Sequence, residues 1–355
     1  MNVKELSNLR IRNKFHFKVI VLVLICFSHY SYSQTSHLMN EKRGIVVYPS
    51  DLISVGCKKW VEMAKDTDLN VIGLHSDTRL ETLPKLKTFL ESEQGKIFLS
   101  ECKKYNIDVE YEQHILMELL PRDLFEEHPE FFRVDKKGKR NGDYNMCFTS
   151  EEAMEIVKKN AVEIAHWIKP TSHRYFFWTD DVQLYCNCVE CSKYSPSEQV
   201  LLYENAILKA LKEYDPEATV AHLAYHKTLA PPKKVKPLPG VFLEFAPIQR
   251  DYAKPLDAEL AVHLKNNLEI FPPETAHILE YWLDVSMFSN WERDNLVKVS
   301  CNKQEIRRDV ELYEELGIKS ITTFGAWING DYMQKFGEDY SREIIRKYGE
   351  ALKNE

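Results

Sequence analysis

Two adjacent acids and three closely spaced cysteines occupy one stretch of the chain, "RYFFWTDDVQLYCNCVECSK" at residues 174–193. Asp180 and Asp181 end an otherwise apolar, aromatic run. A carboxyl group held beside another carboxylate, or against aromatic walls such as Trp178 and Tyr185, has its pKa raised. It can then donate a proton to a leaving oxygen, the general-acid half of glycosidic bond cleavage. The competing reading is that Asp181 only caps the helix or loop that follows. The cysteines, Cys186-x-Cys188-x-x-Cys191, have the spacing of a tetrahedral zinc knuckle, with Cys147 upstream as the fourth ligand. One or two disulfides from the same four residues, or free thiols, are the alternatives. In either bonded case the role is structural, because a nucleophilic thiol needs a base beside it and the sequence places none there.

Other groups fit for chemistry stand at the ends of further strand-like runs. They are His75 with Asp77, His114, Tyr225 with His226, Glu244 with Gln249 and Arg250, Glu280 with Asp284, and Trp327 with Asn329. Glu280 and Glu244 are the reserve candidates for a second catalytic carboxylate. The histidines lack a local metal spacing such as H-E-x-x-H, so hydrogen bonding to a substrate is a better reading than a metal trio. Trp178, Tyr225, Tyr281, Trp282, Trp291 and Trp327 fall at or near the same ends. Aromatic rings can stack on the flat C–H faces of sugars while Asp, Glu, Asn, His and Arg take the hydroxyls. Each tryptophan alone reads more readily as core packing. Arg250 is a further candidate for binding a substrate. No cofactor is required for such a reaction.

The elements that must carry these residues alternate from end to end. Eight short β-branched and aromatic runs begin at residues 44, 70, 107, 174, 219, 241, 276 and 319. Between them lie stretches of helical period. In one, residues 151–168, a stripe of Ile156, Val157, Ala161, Ile164 and Ile168 follows a capping Ser150. Gly317 is a stop signal for another. This order predicts a closed (β/α)8 barrel over residues 41–355. The open doubly wound sheet would want a Gly-rich turn after an early strand, and the 12 glycines form none. Chemistry in such barrels sits at the C-terminal mouth of the strands. The longest connection, roughly residues 115–150 with "PRDLFEEHPEFF", should shape the cleft there.

Residues 1–33 read as a secretory signal peptide: a basic segment, the apolar run "VIVLVLICF", then "SHYSYSQ". The run is far short of the ~20 residues that span a bilayer, and Ile25 is a poor neighbour for a lipid anchor at Cys26. An exported protein, periplasmic or secreted, is expected. Of eight cysteines, seven lie beyond this leader, an odd number that argues against a disulfide-framework fold. The net charge of −7 is mild, and no basic block is interleaved with aromatics, which disfavours nucleic acid as a partner. An oligosaccharide or polysaccharide is the expected ligand.

The segments "EEHPEFFRVDKKGKR", "YNMCFTSEE", "WTDDVQLYCNCVECSK", "FAPIQRDYAKPL" and "ILEYWLDVSMFSNW" resemble the family called domain of unknown function 4838. The likeness extends from about residue 107 to residue 330. It implies a glycoside-hydrolase-like barrel related to hexosaminidase and α-glucuronidase families. A glucuronidase-like enzyme would need a cation for the uronate, and Arg250 is the candidate. The strand-four acid of the family matches Asp181. Where members commonly carry Asn before it, this chain has Asp180. The Asp-Asp pair is similar to that of family 84 hexosaminidases, which would make Asp180 the residue that orients an acetamido group and Asp181 the acid. Family members often carry an α+β domain ahead of the barrel, and none is expected here. A catalytically silent glycan-binding barrel is the reading from a different class.

Overall fold

The computed structural model describes residues 42–76 and 82–353. The signal-peptide segment, Cys26 and Asp77 lie outside the described residues. Eight strands close into a parallel barrel in sequence order: β1 (Lys42–Val47), β2 (Val71–Leu74), β3 (Asp108–His114), β4 (Arg174–Trp178), β5 (Thr219–Ala224), β6 (Val241–Phe245), β7 (His277–Glu280) and β8 (Ser320–Phe324). The ring is completed by β1 pairing with β8, Gly44 opposite Thr322. Strands of such a barrel are covered on both faces and read as nearly continuous apolar runs. All five residues of β6 and of β8 are buried.

Successive side chains of a strand point to opposite faces. Val46, Phe176, Trp178, Ala221, Phe242, Leu279, Tyr281 and Phe324 form one cluster inside the barrel. Their strand neighbours, among them Val47, Tyr175, Phe177, Phe245 and Ile278, join the layer between strands and helices. That parity decides which polar residues can reach the mouth.

The outer layer includes α1 (Cys57–Asp66), α2 (Glu93–Lys104), α3 (Glu151–Ala165), α4 (Pro196–Tyr214), α5 (Ala258–Leu268), α6 (Lys303–Glu315) and α7 (Glu338–Ala351). Ser150 caps α3, accepting from the Ala153 amide at 3.4 Å. Ser195 and Glu198 make a capping box at the start of α4, with Pro196 in its first turn. Gly317, at φ 86°, follows α6 in the left-handed conformation that ends helices. One connection departs from the expected alternation. Between β5 and β6 there is only a single 3₁₀ turn, His226–Thr228, because Pro231, Pro232, Pro237 and Pro239 leave no run able to hold helical hydrogen bonds.

A polar layer lies deep inside the barrel. Arg174 makes two 2.8 Å bonds to Glu110 and a third to Ser320, and His277 bonds Ser320 at 2.8 Å and Thr322 at 3.1 Å. Glu112 fits nearby because Gly73 has no side chain; a Cβ there would strike Glu112 Oε1. Among the described residues, no helix is long and apolar enough to cross a membrane.

Candidate active site

The C-terminal ends of the strands surround a cavity of about 570 Å³. Its floor and walls are aromatic: Trp178 from β4, Phe324 from β8, and Tyr281 just beyond β7, which stacks on Phe324 at 5.2 Å between ring centroids. His75 and His114 stand against the Trp178 ring at 5.6 and 4.9 Å. His114 Nδ1–H donates to the Thr179 carbonyl at 2.6 Å, and His75 Nδ1–H to the Glu112 carbonyl. A carbonyl can only accept, so both rings carry the proton on Nδ1. Nε2 of His114 then lies 4.0 Å from Asp181 Oδ1, too far for a hydrogen bond.

Both members of the acid pair line this cavity, in different surroundings. Asp180 is clamped. Its Oδ2 accepts from Arg122 Nη2 and from the Asn145 amide, while its own N–H donates to Asn145 Oδ1 at 3.1 Å. Arg122 also binds the Asn145 carbonyl at 3.0 Å, and Asn145 Nδ2 reaches the Leu184 carbonyl at 2.8 Å. Asn145 adopts φ 52°, a left-handed conformation that Asn tolerates better than most residues. The Asp181 side chain is 32% exposed against 8% for Asp180. It caps no helix: the segment after it is irregular, and α4 is capped by Ser195. Asp284 lines the same cavity and caps a short helix at Val285–Phe288, accepting from Ser286 Oγ and from the Met287 amide. Burial pushes the Asp284 carboxyl up to about 6, against the pull of those bonds.

Tyr225 lines the cavity, and beyond it the cleft continues into a second hollow of about 410 Å³ bounded by Asp181, Tyr225, His226, Gln249 and Trp291. Trp291 is 63% exposed at the rim shared by the two hollows, at φ 57°. Tyr144, from the long connection after β3, lines the first cavity.

Six residues expected at or near the mouth are elsewhere. Trp282 donates Nε1 to Asp309 in the outer layer, and Asn329 bonds Asp51 and caps the helix at Gly330–Phe336. Glu280 falls on the outward parity of β7, between inward Leu279 and Tyr281. It is fully buried outside the barrel, where Oε1 accepts from Arg250 at 2.9 Å and from the Tyr313 hydroxyl. Burial pushes its carboxyl up to about 7, with Arg250 pulling it back. Arg250 is committed to that carboxylate and, at 2.6 Å, to Asp309, so it is not at the cavity to meet a uronate. Glu244 points inward but lies beneath the floor: its Oε2 accepts from Trp178 Nε1 at 2.7 Å, and burial raises its carboxyl well above the usual range. Trp327 is packed behind the rim at φ 66°, with its amide on Asp51 at 3.0 Å and the Arg293 guanidinium over its ring.

Sequence reading missed Tyr48, which lines the cavity, and the Arg122–Asn145 clamp on Asp180. The signal for the clamp was present: Asn145 precedes Cys147 by two residues, and Cys147 meets Cys186, Cys188 and Cys191 in space, with their sulfurs all within 4.8 Å of one another. That joins the long connection after β3 to the one after β4. Among the described residues, these four are the one cluster with metal-ligand geometry.

Residues 74–339 match the family model described as "Domain of unknown function (DUF4838)", and the chain belongs to that family. A search of curated proteins returns no match. Solved structures with a similar fold include a cold-adapted β-galactosidase from Rahnella sp. R3 (TM-score 0.55, 13% identity, 89% of this chain and 56% of that one). Others are a variant O-GlcNAc hydrolase from Thermobaculum terrenum (0.52, 10%, 88% and 59%) and a family 5 xyloglucanase from Paenibacillus pabuli (0.51, 6%, 88% and 99%). The chain spans a little over half the length of the β-galactosidase it matches. At these identities the likeness is one of fold.

Proposed function

We propose that this DUF4838 protein is an exported glycoside hydrolase of hexosaminidase-like type, with Asp181 as general acid and Asp180 as its orienting partner. The observation that carries the reading is the acid pair at the end of β4, one member clamped and the other more open, in an aromatic-walled cavity large enough for a sugar ring. The solved structures of similar fold are named as enzymes that act on glycosides, which supports the class but not the substrate. Export rests on the leader pattern at residues 1–33.

The chemistry follows from the two environments. Asp180, held in place by Arg122 and the Asn145 amide, offers its remaining oxygen to the N–H of a substrate acetamido group. The acetamido carbonyl oxygen attacks the anomeric carbon as the glycosidic C–O bond breaks, and Asp181 gives its proton to the departing oxygen. Water then opens the cyclised sugar and returns a proton to Asp181. Trp178, Tyr281 and the exposed Trp291 supply stacking faces for the rings.

One observation favours a second reading. Asp284 shares the cavity, so an ordinary two-carboxylate hydrolysis would pair Asp181 with Asp284 rather than with Glu280 or Glu244. Aryl N-acetylhexosaminides compared with aryl hexosides lacking the acetamido group separate the two. Substrate assistance requires turnover of the first alone and loss of activity in Asp180→Asn. The two-carboxylate route turns over both and is lost in Asp284→Asn. A wild-type protein that binds oligosaccharide and cleaves neither is a glycan-binding barrel, and the proposal is then wrong.

A further inference from the structure

We propose that Cys147, Cys186, Cys188 and Cys191 bind one tetrahedral zinc ion that ties the connection after β3 to the connection after β4, behind the acid pair. The inference is independent of the glycosidase reading. Tetrathiolate zinc has Zn–S bonds of about 2.3 Å, which set the edge of the sulfur tetrahedron at about 3.8 Å. Cys147 Sγ lies 3.7 Å from Cys188 Sγ and 3.8 Å from Cys191 Sγ, and all four sulfurs are mutually within 4.8 Å. A disulfide would require about 2.05 Å, and all four cysteines are unbridged.

The surroundings offer hydrogen-bond donors to sulfur. The Val134 amide donates to Cys186 Sγ at 3.3 Å and the Cys191 amide to Cys188 Sγ at 3.4 Å. Thr149 Oγ1 stands 3.2 Å from Cys191 Sγ and 3.6 Å from Cys147 Sγ. Such outer donors orient thiolate ligands and spread their charge. The knuckle backbone is fixed separately by Gln199 of α4. Its Oε1 accepts from the Cys186 amide at 3.2 Å, and its Nε2 donates to the Cys186 and Cys191 carbonyls at 3.1 Å each. The cage is therefore held by contacts that do not involve sulfur. On binding, the ion displaces the thiol protons to solvent, and no electron transfer is involved.

The place of the site in the fold gives it a purpose. Asn145, which grips Asp180, is two residues from Cys147, and Cys186 is five residues from Asp181. The ion would fix both segments against each other.

The test is metal analysis of the full purified chain, with thiol titration in denaturant before and after chelation. The expected result is one zinc per chain and four thiols that become titratable when it is removed. Replacement by cobalt should give the intense visible bands of a tetrahedral thiolate site at one equivalent, a readout that does not depend on activity. If Cys147→Ser fails to fold, the milder Cys188→Ser should fold with lowered zinc occupancy. No zinc, whether the four thiols are free or missing as disulfides, or octahedral cobalt spectra, would overturn the proposal.

Discussion

Replacing Glu280 by Gln tests the parity of β7 and, with it, which acids belong to the site. Glu280 Oε1 takes both donors, Arg250 and Tyr313, while Oε2 is buried without a hydrogen-bond partner among the described residues. An amide oxygen can keep both donors, and the NH₂ falls where nothing donates. Arg250 retains Asp309 as a counter-ion. In the folded protein the carboxyl is raised from 4.5 to about 7, chiefly by burial. A raised acid contributes stability that is fully present below its unfolded value and is lost as pH climbs through the folded one. The window therefore runs from about pH 4.5 to pH 7. At about 1.4 kcal/mol per pH unit, the wild type loses roughly 3 kcal/mol across it through this group, and the amide loses none. Urea unfolding of both proteins at about pH 4.5, 6 and 8 should show the stability difference moving in favour of Glu280→Gln by about 2–3 kcal/mol as pH rises. Turnover should stay within a few-fold of wild type, because the residue does not line the cavity. A pH-independent difference, or a hundredfold loss of turnover with stability unchanged, would refute both the burial and the outward placement.

Glu112, whose two carboxyl oxygens are buried without hydrogen-bond partners among the described residues, is also pushed well above the usual carboxylate range by burial and by neighbouring Glu244. Glu112→Gln should raise the melting temperature near neutral pH, with the gain shrinking toward pH 4.5, as followed by calorimetry. Trp291→Ala removes an exposed rim ring and should leave stability unchanged while weakening oligosaccharide binding by about 1 kcal/mol, roughly fivefold in KM. Arg122→Met strips Asp180 of its charged partner and should cost about 1–3 kcal/mol in stability as well as activity, measured by denaturation and initial rates.

The barrel was legible because its signals are local and repeated: eight β-branched or aromatic runs alternating mostly with helical stretches, and an acid pair where one run ends. The structure places Asp180, Asp181, His75, His114, Tyr225, Tyr281 and Asp284 around one cavity, as reading polar groups off strand ends expected. Glu280, Glu244 and Trp327 went astray for one reason. Linear position gives distance along a strand but not the face or depth, and a shift of one residue sends Glu280 to the helix side. Glu244 has the inward parity yet sits one layer too low, under the indole of Trp178. Arg250 was lost to partners far away in sequence, Glu280 and Asp309, which no local pattern encodes. The missing helix after β5 was announced by its prolines.

Asp181→Asn is the most direct measurement, made with a series of aryl N-acetylhexosaminides of rising leaving-group pKa. The expected result is a loss of about 10²–10⁴ in kcat for the poorest leaving groups, where proton donation matters most, and a much smaller loss for the best. Oligosaccharide binding should be retained throughout. A variant as active as the wild type on every member of the series would contradict the assignment of Asp181 as the acid.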